Sequence, residues 1–451
     1  MADPSPREDS GVHHSGVPVD FRYSGHYLEQ EDCEILVITF DCFFSVQTVG
    51  TQRVIHVLLK ENAVVAGAPE TELVRWAFDD DDDTELEAYR NAVKNLVNTH
   101  IIPALKTLPP IALLAASPLS VLVAYTAPDR TMGSCPGIPD SLQDSESMYL
   151  DRLPPIESLQ DIRAPRVIFI HDVVALRLLD TGSRDAMRAL LPDSTTVLVH
   201  CIPTVMMLVA PSSTGAMVAG FFREFDVLRS MPPHPNVIGP PVAYLSRVVQ
   251  GQKVLCGYAL RWLPGGCIRD IVEEAGDLDM TPLPCRVKWA TQIAAGLHHI
   301  HSVGHTYHGD VKLDNVVLDE DDNAVLIDFE QGRANEEAVA PELKAGYSVE
   351  LSQDGRRLCY KLPASGADSR PLWQRKFPFN AWKDTSRATE VAEVYTLGVA
   401  LRLLFRDGEA SSRVEKVLKR CARADPNERP RLNEAKVVLG HWYNSSSLQI
   451  K

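Results

Sequence analysis

The residues from His308 to Gly332, HGDVKLDNVVLDEDDNAVLIDFEQG, carry groups whose types and spacing suit phosphoryl transfer. His308-Gly309-Asp310-x-Lys312-x-x-Asn315 is followed, thirteen residues after Asn315, by Asp328-Phe329-Glu330. Asp310 can accept the proton of an attacking hydroxyl, and Lys312 can neutralise charge on a phosphoryl group in flight. Asn315 and Asp328 offer the hard oxygen atoms that magnesium takes as ligands. A lone HxD reads as part of an acidic surface hairpin. Four polar residues set at these spacings around two apolar runs do not.

The elements that must position these groups are legible nearby. Val316 to Leu318 and Ala324 to Ile327 read as two short apolar strands, and Asp319 to Asn323 as the polar turn between them. Such a hairpin sets Asp310, Asn315 and Asp328 at one edge. Upstream, Arg286 to His301 has apolar residues at helical spacing (Val287, Trp289, Ala290, Ile293, Leu297, Ile300) and predicts a helix that delivers the chain to His308.

The stretch resembles the catalytic and magnesium loops of eukaryotic protein kinases, with HRDxKxxN written as HGDVKLDN and DFG as DFE. Further motifs follow in the family's order. Ala340-Pro341-Glu342 resembles the APE that closes the activation segment, and Glu393-Val-Tyr-Thr-Leu-Gly398 the DVWSLG of the central C-lobe helix, with Glu for Asp. Asp425-Pro426 with Arg429-Pro430 resembles DPxxRP. The resemblance implies ATP and magnesium as cofactors, Asp310 and Lys312 as catalytic residues, and Asn315 and Asp328 on the metal. It implies an ion pair between Arg429 and Glu342. Glu224-Phe-Asp-Val-Leu228, before His234-Pro-Asn-Val-Ile238, resembles helix C, with Glu224 its glutamate. Leu228, His308 and Phe329 then form part of a regulatory spine. Leu260 aligns with the gatekeeper, and Arg261 to Leu263 with the hinge that meets adenine; Val317 falls beside the nucleotide. The implied fold is α+β and bilobal, a mostly-β N-lobe with helix C and a larger helical C-lobe.

The chain also departs from the family. No lysine occurs between Lys106 and Lys253, so the strand lysine that pairs with helix C is absent; Met206 to Val209 reads MMLV where it is expected. No G-x-G-x-x-G precedes helix C. Without that lysine, Glu224 also reads as a surface acid on an amphipathic helix. From Asp328 to Glu342 there are only 15 residues and no Ser, Thr or Tyr, and Gly309 stands where many kinases place a phosphate-reading arginine. These two absences agree. Between Glu342 and Glu393 lies an insertion in which Tyr347 to Leu351 and Leu358 to Leu362 predict a hairpin over Asp354-Gly355. Trp382 with Arg370, Arg375, Lys376 and Lys383 suits either docking or plain packing.

Three functions compete. Lys312 favours a Ser/Thr-type kinase acting on a protein; the missing lysine and glycine loop favour a pseudokinase that binds or scaffolds a partner. His308-Gly-Asp310 and Asp328-Phe-Glu330 also resemble small-molecule phosphotransferases of the aminoglycoside and choline kinase type, which generally lack Lys312, APE and the late Arg-Pro.

Composition bounds the rest. The 451 residues with 45% hydrophobic content allow two or three domains. A net charge of −15 argues against nucleic acid or an anionic membrane as partner. Nine cysteines without a C-x-x-C pair read as reduced thiols of a cytoplasmic or nuclear protein. Residues 1–20 read as a disordered tail, 21–126 as an α/β accessory region, 127–155 as a linker, and 156–445 as the kinase-like domain, with N-lobe 156–260 and C-lobe 264–445. In the accessory region, Cys33 to Phe44 and Arg53 to Leu59 predict strands. The acidic run Asp79 to Asp83 predicts the start of a helix that Pro103 ends or kinks.

Overall fold

The computed structural model describes residues 19–29, 35–44, 51–60, 65–78, 86–106, 121–126, 132–136, 153–159, 165–178, 186–201, 214–249, 251–274, 281–329, 339–344, 348–351, 358–361, 386–406 and 408–447. They form two compact units. One holds the chain up to Val218 together with Val242–Ala259; the other holds Ala219–Pro241 and the chain from Leu260 onward.

In the first unit, β1 (Val19–Glu29), β2 (Ile35–Phe44) and β3 (Thr51–Lys60) pair antiparallel in chain order. Helices α1 (Pro69–Phe78), α2 (Leu86–Leu96) and α3 (Ile102–Lys106) then cross over to β4 (Val121–Thr126), parallel to β3, with β5 (Met132–Pro136) antiparallel beyond it. A parallel return needs such a crossover. The helical path continues through Pro103, because Val97–Ile101 form a wider π turn just before the residue that lacks an N–H. Val19 and Asp20, at the end of the expected tail, already belong to β1, and β5 lies within the expected linker. The acidic run Asp79 to Asp83 is outside the described residues.

The second sheet of this unit comprises β6 (Arg166–Phe169), β7 (Val174–Leu178), β8 (Ala186–Leu190), β9 (Thr196–Cys201), β10 (Ala243–Val249) and β11 (Gln252–Arg261), in the order β6-β10-β11-β9-β8-β7. β9 alternates, with Val197, Val199 and Cys201 buried, as a strand with one covered face should. β11 sits between β10 and β9 and is buried from Val254 to Leu260. A 3-10 turn at Ile170–Asp172 separates β6 from β7 and turns Ile170 inward. β3 of the first sheet lies against β7 of the second.

The second unit is mainly helical. It takes in α4 (Thr214–Ser230) from Ala219 on, then α5 (Ile268–Glu274), α6 (Leu283–Ser302), the hairpin β12 (Val316–Leu318) and β13 (Ala324–Leu326), and the short α7 (Pro341–Lys344). A second hairpin, β14 (Ser348–Leu351) and β15 (Leu358–Lys361), precedes α8 (Ser386–Arg402), α9 (Ser412–Cys421) and α10 (Leu432–Ser447). α6 is the axis of this unit. Val287, Ala290, Ile293, Ala294, Leu297 and Ile300 are buried, the stripe that helical periodicity requires. Its glycine allows close packing: a Cβ at Gly296 would meet the Asn236 carbonyl oxygen at 2.5 Å.

The fold class is α+β with a sheet-rich unit and a helical unit, as the sequence predicts. Among the described residues no helix is long and apolar enough to cross a membrane, and Cys201, Cys256, Cys267, Cys285, Cys359 and Cys421 are free thiols.

Candidate active site

Every site residue singled out from the sequence lies in the helical unit. The hairpin β12–β13 is the platform. α6 holds its turn: Lys288 Nζ donates to the Asp321 carbonyl at 2.9 Å, Trp289 Nε1 to the Asp322 carbonyl at 3.1 Å, and the Gln292 side chain meets Asn323 and the Ala324 N–H. Asp319 accepts the N–H groups of Asp321 and Asn323, both at 2.9 Å, and so closes the turn on itself.

Both edges of this two-stranded sheet are occupied. On one side, Leu326 N–H donates to the Asn236 carbonyl at 3.0 Å, Ile238 N–H to the Leu326 carbonyl at 2.8 Å, and Asn236 Nδ2 to the Ala324 carbonyl at 2.9 Å. On the other, Gly265 N–H donates to Leu318 and Leu318 N–H to Gly266, both at 2.9 Å. That second pairing places the hinge candidates beside β12. Leu260 and Leu263 are buried, Val317 is half-buried, and the exposed Arg261 side chain reaches towards Asp319 and Glu320 at 3.9 and 3.8 Å.

The polar groups gather at the hairpin's open end. Lys312 Nζ lies 2.6 Å from Asp310 Oδ2, and Asn315 Nδ2 donates to that same oxygen at 3.0 Å and to the Asp310 carbonyl at 2.9 Å. The Asn315 carbonyl accepts the N–H of Ile327 at 3.0 Å, which ties Asn315 to the residue before Asp328. Asp328 itself has φ +70°, a left-handed conformation that Asp tolerates better than most residues. With one carboxylate from Asp328 and one amide oxygen from Asn315, the donor set is hard and incomplete. It fits magnesium, which keeps several waters and takes further ligands from phosphate.

Three more residues fix this end. His308 Nδ1 accepts the Asp310 N–H at 3.3 Å, so Nε2 carries the proton and donates to the Ile327 carbonyl at 2.8 Å. The His308 ring meets Phe329 at 4.8 Å between centroids, and both are fully buried. Phe329 N–H donates to Glu224 Oε1 at 3.3 Å. Glu224 is only 4% exposed and therefore not a surface acid; Leu228, one helical turn on, is fully buried. Glu330 and Met206 to Val209 lie outside the described residues.

Beneath the loop, Glu393 Oε2 accepts the N–H of His308 at 3.2 Å and lies 2.5 Å from His301 Nε2, while its Oε1 accepts the N–H of Gly309 at 2.5 Å. Burial works to raise the Glu393 carboxyl. The His301 hydrogen bond, the fields of His301 and His308 and the Gly309 N–H outweigh it and hold the group below its ordinary value. Gly309 has φ +96°, a conformation that a side chain resists. Glycine at this position thus serves the loop's path as well as removing an arginine.

Farther on, Arg429 forks over Glu342, Nη1 to Oε1 at 2.5 Å and Nη2 to Oε2 at 2.8 Å, with both side chains buried. Its remaining donors meet the carbonyls of Arg423, Ala424 and Val391. The sequence did not single out His301, Asn236 or the buried fork of Arg286 on Glu409, at 2.6 and 2.9 Å. An Asn after His-Pro was the available signal for Asn236; nothing local marked the other two.

Fold and site together define a protein-kinase-like domain. Residues 199–344 match the family model for protein tyrosine and serine/threonine kinases. Fatty acyl-CoA synthetase and RNA processing-associated kinase 1 of Saccharomyces cerevisiae is 29% identical over 155 residues, covering 34% of this chain and 16% of that protein. Serine/threonine-protein kinase KIN4 of the same yeast is 32% identical over 108 residues, covering 24% of this chain and 12% of that protein. Each match thus spans less than a fifth of the relative's length. Over these residues the chain is similar to the eukaryotic protein kinase superfamily.

Proposed function

We propose that this protein transfers the γ-phosphoryl group of ATP to a serine or threonine hydroxyl of a protein, with magnesium bound by Asp328 and Asn315. The observation that carries the reading is Lys312 and Asn315 converging on one oxygen of Asp310. That carboxylate is oriented to take a hydroxyl's proton, with a cation beside it to meet the charge that develops on the phosphoryl group. The match to a serine/threonine-protein kinase supports the acceptor class. Magnesium supplies neutralisation of the phosphate oxygens when bound. Leu260 and Leu263 offer an apolar wall, and the 261–263 backbone offers hydrogen bonds to adenine.

The test is phosphotransfer from labelled ATP to a generic basic protein and to the chain itself, with Asp310→Asn as control. Transfer by wild type that Asp310→Asn abolishes, with fold and nucleotide binding intact, supports the reading. Transfer that survives the substitution overturns it.

A second reading has its own support. The absence of any lysine between Lys106 and Lys253 removes the usual grip on the α- and β-phosphates. In that reading the protein is a pseudokinase that binds a partner. If wild type transfers nothing, and lysine at Met207, Leu208 or Val209 restores nothing, this second reading replaces the first.

A further inference from the structure

The insertion after Glu342 makes β14 and β15, which pair Ser348 with Lys361 through to Leu351 with Leu358. An isolated two-stranded hairpin is marginal in water, so its order must come from what it rests on. Two contacts supply it. Leu358 is buried in a cluster with Tyr307, Val339, Ala340, Leu343, Ala388, Val391 and Ala392, and Val349 and Tyr360 pack on the same cluster. Asn427, from the turn after α9, meets the backbone of Leu358 in both senses. Its Oδ1 accepts the Leu358 N–H at 3.1 Å and its Nδ2 donates to the Leu358 carbonyl at 3.2 Å. A side-chain amide here stands in for a third strand. Asp425 fixes Asn427 in turn by accepting its N–H at 2.9 Å.

Val339, Ala340 and Leu343 are the described end of the activation segment, and Glu342 among them is held by Arg429. The segment from Asp328 to Glu342 has no hydroxyl to phosphorylate, and Gly309 offers no side chain to read a phosphate. We propose that the β14–β15 hairpin is a permanent brace for this segment: seated by Leu358 and latched by Asn427, it holds residues 339–344 in place and does the work that a phosphate does elsewhere. The brace concerns the segment's position and not phosphotransfer, so it stands or falls apart from the functional reading.

Coupling of this kind is reciprocal: what the hairpin does for the segment, the segment must do for the hairpin. Hydrogen exchange of the full chain, read at individual amides, tests both directions. Asn427 sits on the surface, and Asn427→Ala removes the latch without opening the core. We expect tenfold or faster exchange at Leu343 and Lys344, whose N–H groups bond to the Ala340 carbonyl. The amides of His308 and Gly309 on Glu393 should exchange as in wild type. In the other direction, Leu343→Ala should speed exchange across Leu358–Lys361. Faster exchange at Leu358 alone, with Leu343 and Lys344 unmoved, makes the hairpin a passive insert and overturns the proposal. So does acceleration spread evenly over the unit. Leu358→Ala is the second variant, and it must reproduce the local pattern.

Discussion

His301 and Glu393 meet at 2.5 Å inside the helical unit, and the same carboxylate accepts the N–H groups of His308 and Gly309. One buried acid therefore links α6, α8 and the loop. Its charge is tolerable because three donors converge on it.

His301→Ala should cost about 1.5–3 kcal/mol, the range for a hydrogen bond to a charged group. Exchange at the Gly309 amide should quicken with it. Chemical denaturation with exchange measured at Gly309 checks this, and an unchanged midpoint would show that the loop amides alone satisfy Glu393.

Arg429→Ala should destabilise the helical unit by about 3–5 kcal/mol, because it leaves the Glu342 carboxylate buried and uncompensated. The melting temperature should fall by several degrees. Arg429→Lys should recover little, since an ammonium cannot fork over both oxygens. A lysine variant that melts with wild type would reduce the pair to simple charge.

ATP should stabilise the protein only when magnesium is present. Ligand at a hundred times its dissociation constant stabilises by about 2.7 kcal/mol, enough to see as a thermal shift. Asp328→Asn should abolish the magnesium-dependent part. An equal shift with ATP and chelator would place the nucleotide, if it binds, away from Asp328.

Acid should loosen the anchor of α6. The Arg286 hydrogen bond, aided by the Arg406 N–H, lowers the Glu409 carboxyl from 4.5 to about 2. Glu409 thus binds its proton less readily in the fold than in the unfolded chain. The stability it gives is complete above the ordinary glutamate range and is lost as pH falls from about 4.5 towards 2. Glu409→Gln should flatten that part of the stability curve, as measured by denaturation at stepped pH. A curve of unchanged slope would assign the acid sensitivity to other carboxylates.

Much of this was legible in the chain. Apolar runs bounded by polar turns gave both hairpins, and helical periodicity gave α6 within a few residues. β10 was not legible, because Ser246 and Arg247 interrupt its apolar run. The structure buries Ser246 and satisfies its hydroxyl on the Ile168 carbonyl at 3.1 Å, 78 residues away. Site polar residues announced themselves by motif, and Arg429 could be paired with Glu342 by resemblance. His301 and Asn427 could not be read, since each acts on a group brought near only by folding, 92 and 69 residues distant.

The fork of Arg429 on Glu342 also sets a clock. The two residues are 87 positions apart, and at roughly 5–20 residues per second a growing chain carries Glu342 for about 4–17 seconds before its arginine has been made. Through that interval the carboxylate has to stay in water, so the seat it later occupies must remain open. A nascent chain paused between these positions holds the whole Asp310–Asn315–Asp328 motif, yet cannot close the segment beside it. Closure of the segment around Glu342 therefore comes late in synthesis, with the turn that delivers Arg429.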